Sequence, residues 1–420
     1  MPGPSIRLRQ GERLRVQAVN RLAEPTTVHW HGIRLPNAMD GVPDLTQPPI
    51  VPRQSFLYEF DAPDAGTFWY HPHSRSYEQV DRGLAGALIV EEHDPPDVDR
   101  EVVWVLDDWR LAADASITSD FANAMDMSHA GRLGNTVTIN GQVQEEFAVR
   151  AGERLRLRLL NVANARIFGL VFPGHRPQII AIDGQPTEPH AIENGRVVLG
   201  PGMRIDIILD LAQEPGSRVA VTDDFYRSRP YKLIDLVYRP ERALRSRSAA
   251  EVRLAPNPLA RPDLEQAERH AIEFGGGMMD PKMRRRMMSP EGMTPEAREM
   301  MARSMMERMR AGHIWTINGK AAEGHLHQPD LLLRHGKSYV FDMLNDTAWH
   351  HTMHLHGMTF RVISRNGRTL IRPVWQDTVL MDPGERVAIA FAADNPGDWM
   401  FHCHVLEHQA SGMMSVVRVS

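Results

Sequence analysis

The last part of the chain has the residue types and spacing of a metal site. Cys403 is the only cysteine in the sequence, and it lies between His402 and His404. Successive side chains of a strand point to opposite faces, so we expect both histidines on one face and Cys403 on the other. His408 and Met413 follow at short spacing. A thiolate, imidazoles and a weak thioether are the ligands of an electron-transfer copper site, whereas zinc would favour further thiolates.

The overall composition excludes several classes of protein. A chain of 420 residues is long enough for about two to four domains. The net charge of −5 gives no basic excess for nucleic-acid binding, and no apolar run reaches the roughly 18 residues of a membrane span. The first residues show no signal-peptide pattern, so we expect that any export signal has been removed or was never present. The 20 His and 23 Met are high counts for this length.

Three segments of the chain repeat one pattern, in which a glycine turn precedes an alternating strand that ends in asparagine. They are residues 9–20, 150–161 and 334–345. A second repeated element follows each segment and runs through a strand to a glycine turn at Gly66, Gly216 or Gly397. Short strands between such turns are typical of β-sandwiches. We therefore predict an all-β fold of three sandwich domains, at about residues 1–93, 100–240 and 255–420.

Histidine pairs occupy matching positions in the first and third repeats, and the second repeat has none. After the final asparagine of the repeat, at a constant distance along the chain, come His29 and His31 in the first repeat and His354 and His356 in the third. After the later glycine turn, again at a constant distance, come His71 and His73 in the first repeat and His402 and His404 in the third. The corresponding residues of the second repeat are Leu170, Phe172, Val221 and Asp223. Equivalent edges of two sandwiches can face each other. We therefore predict that eight imidazoles meet at one interface and hold a metal cluster.

Four stretches of the chain resemble the copper motifs of the three-domain multicopper oxidases, a family that includes laccases, spore-coat oxidases and periplasmic cuprous oxidases. They are His29-Trp30-His31-Gly32, His71-Pro72-His73, His351-Thr352-Met353-His354-Leu355-His356-Gly357 and residues 402–413. The resemblance spans nearly the whole chain. It implies three cupredoxin-like Greek-key β-sandwiches and four copper ions, of which one is type 1, one is type 2 and two are type 3.

The resemblance also implies a role for each ligand. His351, Cys403 and His408 match the type 1 ligands, with Met413 axial, and the family spacing favours His351 over the neighbouring His350. His29 and His354 match the type 2 ligands. The type 3 pair is matched by His31, His71, His73, His356, His402 and His404. In this family electrons pass from type 1 copper through the cysteine to its flanking histidines, and O2 is reduced to two waters.

Reduction of O2 also consumes protons, so an acid is needed near the cluster. Asp40 resembles the family's aspartate near type 2 copper, and we expect it to relay protons or orient water. Some relatives carry a glutamate directly after the last type 1 histidine, where this chain has Gln409. Glu407 precedes His408, and we expect its side chain to point elsewhere. A second proton path is therefore not predicted.

Residues 275–312 form a methionine-rich segment inside the third repeat. The spacing of four residues predicts two helical faces, formed by Met279, Met283, Met287, Met301, Met305 and Met309. Thioether sulfur favours Cu(I), so one interpretation is a Cu(I)-binding insertion. A second is an adaptable apolar lid over the type 1 site, which would restrict bulky phenols. A third is a flexible insertion with neither role.

The favoured function is a copper oxidase that couples four one-electron oxidations to the reduction of O2. The expected donors are phenols and aromatic amines, as in laccases, and Cu(I). The alternatives are a copper-tolerance cuprous oxidase with little organic activity, a copper nitrite reductase, and a copper-binding or structural relative without activity. The family further implies a periplasmic or secreted monomer. Relatives have another strand or two before the segment that matches residues 3–6, so we expect the first domain to be a smaller sandwich.

Overall fold

The computed structural model describes residues 2–192, 195–244, 251–279, 311–322 and 328–420, together with residues 294, 299, 303 and 307. Its described strands form six sheets, and each sheet uses strands from only one of three consecutive parts of the chain. Two sheets in each part give three β-sandwiches. The predicted all-β sandwich fold is confirmed.

The first sandwich is the smallest, with sheets of four and two strands in the orders β1-β6-β5-β3 and β2-β4. Its elements are β1 Ile6–Arg9, β2 Arg13–Val19, β3 His29–His31, a 3-10 turn Asn37–Met39, β4 Ser55–Asp61, β5 Gly66–His71, α1 Ser76–Gln79 and β6 Gly86–Glu91.

The second sandwich has sheets of six and five strands, in the orders β13-β12-β15-β10-β7-β8 and β14-β11-β16-β17-β9. Its elements are β7 Arg100–Trp109, α2 Ala124–Ser128, β8 Thr136–Ile139, β9 Glu146–Val149, β10 Arg154–Asn161, β11 Phe168–Val171, β12 Gln178–Ile182, β13 Gln185–Ala191, β14 Arg196–Leu199, β15 Arg204–Asp210, β16 Arg218–Asp223 and β17 Tyr231–Tyr238.

The third sandwich also has sheets of six and five strands, in the orders β19-β18-β21-β26-β23-β24 and β20-β28-β27-β22-β25. Its elements are β18 Glu268–Gly276, β19 Trp315–Ile317, β20 Leu331–Leu333, β21 Ser338–Asn345, β22 His351–Leu355, β23 Phe360–Arg365, β24 Arg368–Gln376, β25 Thr378–Met381, β26 Arg386–Ala392, β27 Gly397–Cys403, α3 Leu406–Ala410 and β28 Met414–Val419.

The repeated asparagine makes the same hydrogen bonds in each sandwich. Asn161 at the end of β10 donates from Nδ2 to the carbonyls of Arg166 and Leu199, and its Oδ1 accepts from the amide of Ala163. Asn20 and Asn345 bond to the equivalent positions. The asparagine therefore ties the end of one strand to the turns around it. These hydrogen bonds determine where the next strand begins. In two of the sandwiches that strand carries the histidines.

The buried cores explain which sandwiches approach each other. Trp30 and Tyr58 of the first sandwich belong to the same buried cluster as Phe360 and Trp399 of the third. The second sandwich has a separate core of aliphatic and aromatic side chains, such as Leu157 and Trp104. Burial of apolar area is the main stabilising term in folding, so this shared core holds the first and third sandwiches together.

Candidate metal centre

Pairing of neighbouring strands places histidines side by side in two sandwiches. His29 of β3 lies opposite His71 of β5. His354 of β22 lies opposite His402 of β27. Directly opposed residues of an antiparallel pair have Cβ atoms only about 5 Å apart, so each pair presents two imidazoles together. The first and third sandwiches therefore each have a sheet edge that carries histidines at equivalent positions.

The two edges meet, and the structure brings all eight predicted cluster histidines together. The ring of His29 stacks on that of His356 with centroids 3.9 Å apart, and His31 stacks on His354 at 3.7 Å. His73 lies 5.1 Å from His402, again centroid to centroid. All eight are buried: His29, His31, His71, His73, His354, His356, His402 and His404.

Hydrogen bonds orient most of these rings from outside. Carbonyl oxygens accept from Nδ1 of His29, His71, His354 and His402, at distances of 2.8–3.0 Å. A neutral imidazole that donates from Nδ1 keeps a lone pair on Nε2. Anchoring of one nitrogen therefore fixes the other as a possible metal ligand.

The remaining ring nitrogens test whether metal ions fit this site. Buried atoms without a hydrogen-bond partner include His29 Nε2, His31 Nδ1, His71 Nε2, His73 Nε2, His354 Nε2 and both ring nitrogens of His404. Nε2 of His356 lies 3.0 Å from Nε2 of His402, although both rings are anchored through Nδ1. Two facing lone pairs cannot bond to each other, and buried polar atoms are nearly always satisfied. Cations that accept imidazole nitrogen, such as copper ions, fit this set.

Burial also keeps the histidines in the form that binds metals. The pKa is lowered from its ordinary value, with loss of hydration as the largest cause, for His31, His71, His73, His354, His356, His402 and His404. Charged imidazoles would also repel one another at these distances. The rings are therefore neutral near pH 7, as ligation requires.

A second site lies on the opposite face of β27, as strand alternation predicts. Cys403 Sγ is 3.5 Å from His351 Nδ1 and 3.8 Å from His408 Nδ1, and these two nitrogens are 3.0 Å apart. Val405 donates its amide to Sγ at 3.4 Å. The half-exposed His350 instead lies 3.4 Å from Asp382. The structure therefore brings His351, and not His350, to the thiol.

The surroundings of this second site support the predicted ligand set. Met413 is buried, and its backbone bonds to both Cys403 and His408. The ring of Trp315 lies 4.1 Å from that of His408. Burial raises the pKa of the Cys403 thiol to about 12. The free thiol is therefore neutral, and ligation by copper would release its proton.

Several residues that contact the ligands were not identified from the sequence. His408 donates from Nε2 to the carbonyl of His129, at 2.7 Å, and His351 Nε2 lies 2.8 Å from the Thr347 hydroxyl. In the cluster, Asp377 and Thr378 contact His31. His129 lies in the second sandwich, far from His408 in sequence. Spacing along the chain gives no signal for such partners.

Asp40 contacts two of the cluster histidines. Its Oδ2 accepts from His356 Nδ1 at 2.9 Å, and its Oδ1 lies 3.3 Å from His29 Nδ1. The side chain is buried. It is thus placed where a proton donor to the cluster would be needed.

Gln409 and Glu407 point in different directions from α3. The Gln409 amide lies 3.3 Å from His73 Nδ1, and its oxygen accepts from Ser76 at 3.0 Å. Glu407 faces the second sandwich, where Asn164 donates to it at 2.9 Å. Burial raises the pKa of Glu407 to about 7. The residue beside the cluster is thus an amide that cannot exchange a proton as a carboxyl would.

The methionine-rich segment is described only in part. Met283, Met287, Met301, Met305 and Met309 lie outside the described residues. The predicted helical position of Met279 is wrong, because its φ of 64° is left-handed and a helix cannot contain it. Its side chain is 69% exposed. Residues 299, 303, 307 and 311 have helical backbone, with Arg303 paired to Glu299.

The neighbouring segment packs beside the Cys403 site. Met278 donates its amide to Ser128 and accepts from Trp349 Nε1 at 2.8 Å. The Trp349 ring lies 5.2 Å from that of His129, whose carbonyl holds His408. The methionine-rich segment therefore begins next to this site. Among the described residues, no helix has the length and apolar character needed to cross a membrane.

Comparison with known proteins gives a consistent result along the chain. Multicopper oxidase family models match residues 1–95, 100–229 and 293–420. Multicopper oxidase MmcO of Mycobacterium tuberculosis is 30% identical over 98% of this chain and 80% of its own length. Laccase-2 of Fomitopsis schrenkii is 30% identical over 99% of this chain and 84% of its own.

The fold agrees with the same group of proteins. The crystal structure of a multi-copper oxidase from Pseudomonas thermotolerans superposes with a TM-score of 0.85 at 33% identity, covering 100% of this chain and 92% of the other. These matches and the two histidine-lined sites lead to one conclusion. The chain belongs to the multicopper oxidases, copper-dependent oxidoreductases that use O2 as the electron acceptor and hold type 1, type 2 and type 3 copper.

Proposed function

We propose that the two sites bind the four coppers in the way the sequence motifs predict. His351, Cys403, His408 and Met413 would hold type 1 copper, and His29 and His354 would hold type 2 copper. The type 3 pair is held by His31, His71, His73, His356, His402 and His404. The observation that carries this proposal is the set of buried, unpartnered ring nitrogens, since possible ligand atoms lie within 4.8 Å of one another in each of several groups.

The bound coppers would take electrons singly from a donor and deliver four of them to O2, which is reduced to two waters. The chain supplies the connection between the sites, because Cys403 is joined through the backbone to His402 and His404. It also holds each imidazole in one orientation through the outer hydrogen bonds. Such anchoring limits the rearrangement of ligands when the charge of a site changes. The neighbouring Trp315 packs against His408, and both side chains are buried.

We propose that Asp40 moves protons at the cluster. Its carboxylate contacts the outer nitrogens of His29 and His356, so it can hold a proton or a water molecule beside them. Gln409 occupies the second position near the cluster and can only orient His73 and Ser76 by hydrogen bonds. Proton delivery in this chain would therefore rest mainly on Asp40.

The proposed donors are phenols and aromatic amines, and Cu(I). Support for Cu(I) comes from soft side chains near the type 1 site. Met125 in α2 is 65% exposed, and Met279 is 69% exposed. The backbones of α2 and the methionine-rich segment touch at Ser128 and Met278. Thioethers favour Cu(I), so a cuprous oxidase with little organic activity is the second candidate.

Oxygen uptake by copper-loaded protein distinguishes these candidates. The donors would be 2,6-dimethoxyphenol and Cu(I), tested separately, with the visible spectrum recorded on the same sample. We expect a blue absorption band and uptake with both donors. Uptake with Cu(I) alone would favour the second candidate. A blue protein without uptake on either donor would contradict the oxidase proposal for this chain.

Leucine substitution separates a Cu(I) ligand from an apolar lid. We predict that replacing Met283, Met287, Met301, Met305 and Met309 together by leucine lowers kcat/KM for Cu(I) about tenfold or more. Leucine retains apolar volume and removes sulfur, so phenol oxidation should change by less than about twofold. The buried Met343→Leu substitution in β21, a strand without proposed ligands, is a matched control for loss of a thioether in the same domain. Unchanged Cu(I) oxidation would exclude the role of these methionines as Cu(I) ligands.

We also propose domain boundaries and a location. The segments 1–93, 100–240 and 255–420 would be the domains, since the strands of each sheet fall within one of them. By family resemblance the protein would act in the periplasm or outside the cell, as a monomer. Size-exclusion chromatography with light scattering tests the monomer, for which a mass near 47.5 kDa is expected.

A further inference from the structure

The second sandwich supplies no predicted copper ligand, yet one of its turns touches the histidine cluster. Gly202, with a φ of 82°, lies against two ligand rings. A Cβ at this position would lie 2.9 Å from the His404 ring and 3.2 Å from Cε1 of His31. Real Cβ atoms almost never come so close to a neighbour, so the turn needs glycine here for space as well as for backbone conformation.

Arg204, two residues later, joins all three sandwiches. Its guanidinium is fully buried and binds both oxygens of Asp377, at 2.8 and 2.5 Å. Its Nε donates to the carbonyl of Thr67 in the first sandwich at 3.1 Å. A planar guanidinium bound through both arms to a carboxylate fixes direction as well as distance, which a lysine ammonium cannot do.

A second carboxylate holds the same junction from the other side. Asp183 accepts from the Arg204 amide at 2.9 Å and from the Thr378 amide at 3.1 Å. Its neighbour Arg204 offsets the charges of both Asp183 and Asp377 in a buried place. Removal of one member of such a group leaves uncompensated charge, so the arrangement depends on all three residues.

Asp377, whose position Arg204 fixes, contacts two histidines of the cluster. Its Oδ1 lies 3.1 Å from Nε2 of His31 and 3.3 Å from Nδ1 of His354. Its carbonyl accepts from the same His354 nitrogen at 2.8 Å. The opposite ring nitrogens, His31 Nδ1 and His354 Nε2, are the unpartnered ones.

Asp377 itself could be taken for a metal ligand, because it lies close to His31 and His354. Its oxygens are already used, however. Oδ1 accepts from Thr378 at 2.6 Å and from Arg204, and Oδ2 accepts from Arg204. The carboxylate therefore contacts the nitrogens that point away from the metal position. This favours a role in orienting the rings over a role in ligation.

We propose that Arg204 is a positioning residue for the copper cluster, acting through Asp377 on His31 and His354. The inference rests on the proposed assignment of these two histidines as ligands. It gives the copper-free sandwich a function in the reaction, because one of its side chains sets the direction of ligands that the first and third sandwiches supply. Partners of ligands at this distance from a metal typically change its affinity by about 10- to 100-fold when they are lost.

The test compares Arg204→Met and Arg204→Lys with a matched control, Arg158→Met. Arg158 is equally buried in the same sandwich and also binds Thr67 of the first, but its partners Asp206 and Glu101 contact no ligand histidine. The readouts are copper content after dialysis, the electron paramagnetic resonance spectrum of type 2 copper, and the visible type 1 band. Melting temperatures are measured in parallel.

We expect Arg204→Met to bind type 2 copper about 10- to 100-fold more weakly and to alter its resonance spectrum, while the blue band remains. Arg204→Lys keeps the charge without the planar fork and should show the same change to a smaller extent. If Arg204→Met does not fold, the spectrum of Arg204→Lys decides. Arg158→Met should lower the melting temperature and leave the type 2 spectrum unchanged.

The proposal would be overturned by a wild-type spectrum and wild-type copper affinity in both Arg204 variants. It would also fail if Arg158→Met changed the type 2 signal as strongly as Arg204→Met, since a general loss of packing would then explain both. The measurement on wild-type protein tests the proposed function and not the role of Arg204. Wild-type protein that holds no type 2 copper would contradict the proposed function itself, whatever the variants do.

Discussion

At the scale of single residues, the outer hydrogen bonds matter as much as the ligands. An imidazole can bind metal through either nitrogen, and the partner of the other nitrogen decides between them. Here His408 is held by a carbonyl of the second sandwich and His356 by the carboxylate of Asp40. A substitution at such a partner can therefore change the chemistry without removing a ligand.

Replacement of Asp40 by asparagine should slow O2 reduction. The amide is similar in size but cannot relay a proton, so we predict that kcat falls about 10²- to 10³-fold, within the range for loss of a general acid. Anaerobic bleaching of the blue band by a phenol should stay at the wild-type rate, because that step does not involve Asp40. Stopped-flow absorbance and an oxygen electrode measure the two steps.

The exposed Asp61→Asn substitution in the same sandwich is the control for this prediction, and both rates should stay at wild-type values. Slower bleaching in Asp40→Asn would instead indicate that the change reaches the type 1 site. An unchanged kcat would exclude Asp40 from proton delivery.

At the scale of elements, the equivalent asparagine and the strand that follows it have different roles in the three sandwiches. In the first and third, the strand after the asparagine carries copper ligands, and in the second it carries Leu170 and no ligand. Asn161 can therefore be changed without touching a ligand strand. The backbone of Asn161 also bonds to Gly202 and Met203, in the turn beside the cluster, but these bonds do not depend on the side chain. We therefore expect the side chain to contribute to stability and not to the position of the ligands.

We predict that Asn161→Ala lowers the free energy of unfolding by about 3 kcal/mol. The substitution removes hydrogen bonds to three backbone groups, and each buried group left unsatisfied costs roughly 1–3 kcal/mol. Thermal unfolding and the type 2 resonance spectrum are measured together. The melting temperature should fall, and the spectrum should match that of wild type. The exposed Gln142→Ala in the same sandwich should change neither.

An altered copper spectrum in Asn161→Ala would show that the turn of Gly202, which follows the Leu199 carbonyl bound by Asn161, has moved against the cluster. In that case the effect of Arg204 could not be separated from the position of this turn. A melting temperature equal to that of wild type would mean that water or other groups satisfy the freed carbonyls.

The sequence was sufficient to predict which histidines lie together and which two of them lie beside Cys403, and insufficient to predict the groups that hold them. Strand alternation places Cys403 opposite His402 and His404, and the repeats align the histidine pairs, because both depend on local spacing. The contact between His31 and Asp377 joins residues 346 positions apart. It exists only after two sandwiches dock, as does the bond from His408 to the His129 carbonyl. No local pattern encodes such a contact, and the position of Met279 was likewise set by a turn that periodicity does not reveal.

At the scale of the whole molecule, burial of so many imidazoles at one interface makes the metal-free protein sensitive to acid. The pKa is lowered for nine imidazoles: the seven cluster rings noted above, His351 and His408. For His408 the pKa falls to about 3. The unfolded chain, with ordinary values near 6.5, binds more protons below that pH. Stability is therefore present above about pH 6.5 and is lost as the pH falls.

We predict that the melting temperature of the metal-free protein drops steeply between pH 7.5 and pH 5. Each proton taken up on unfolding contributes about 1.4 kcal/mol per pH unit. Buried carboxyls with raised pKa act in the opposite sense, among them Asp81 at about 6 and Glu407 at about 7, so the net slope corresponds to fewer than nine protons. Scanning calorimetry of chelator-treated protein at several pH values measures the slope.

Loading with copper should raise the melting temperature at each pH, because the metal binds the folded state through the same nitrogens that protons would take. A melting temperature that is flat between pH 5 and pH 7.5 without metal would contradict the burial of neutral imidazoles at this interface.

Anomalous X-ray diffraction at the copper absorption edge would show whether the two groups of side chains bind four copper ions. For crystals of the loaded protein, we predict one peak coordinated by His351, Cys403 and His408, with Met413 axial. Three further peaks should lie among the eight histidines of the cluster, with Asp377 outside the ligand sphere. Fewer than three peaks in the cluster, or a type 1 peak held by His350, would contradict the account.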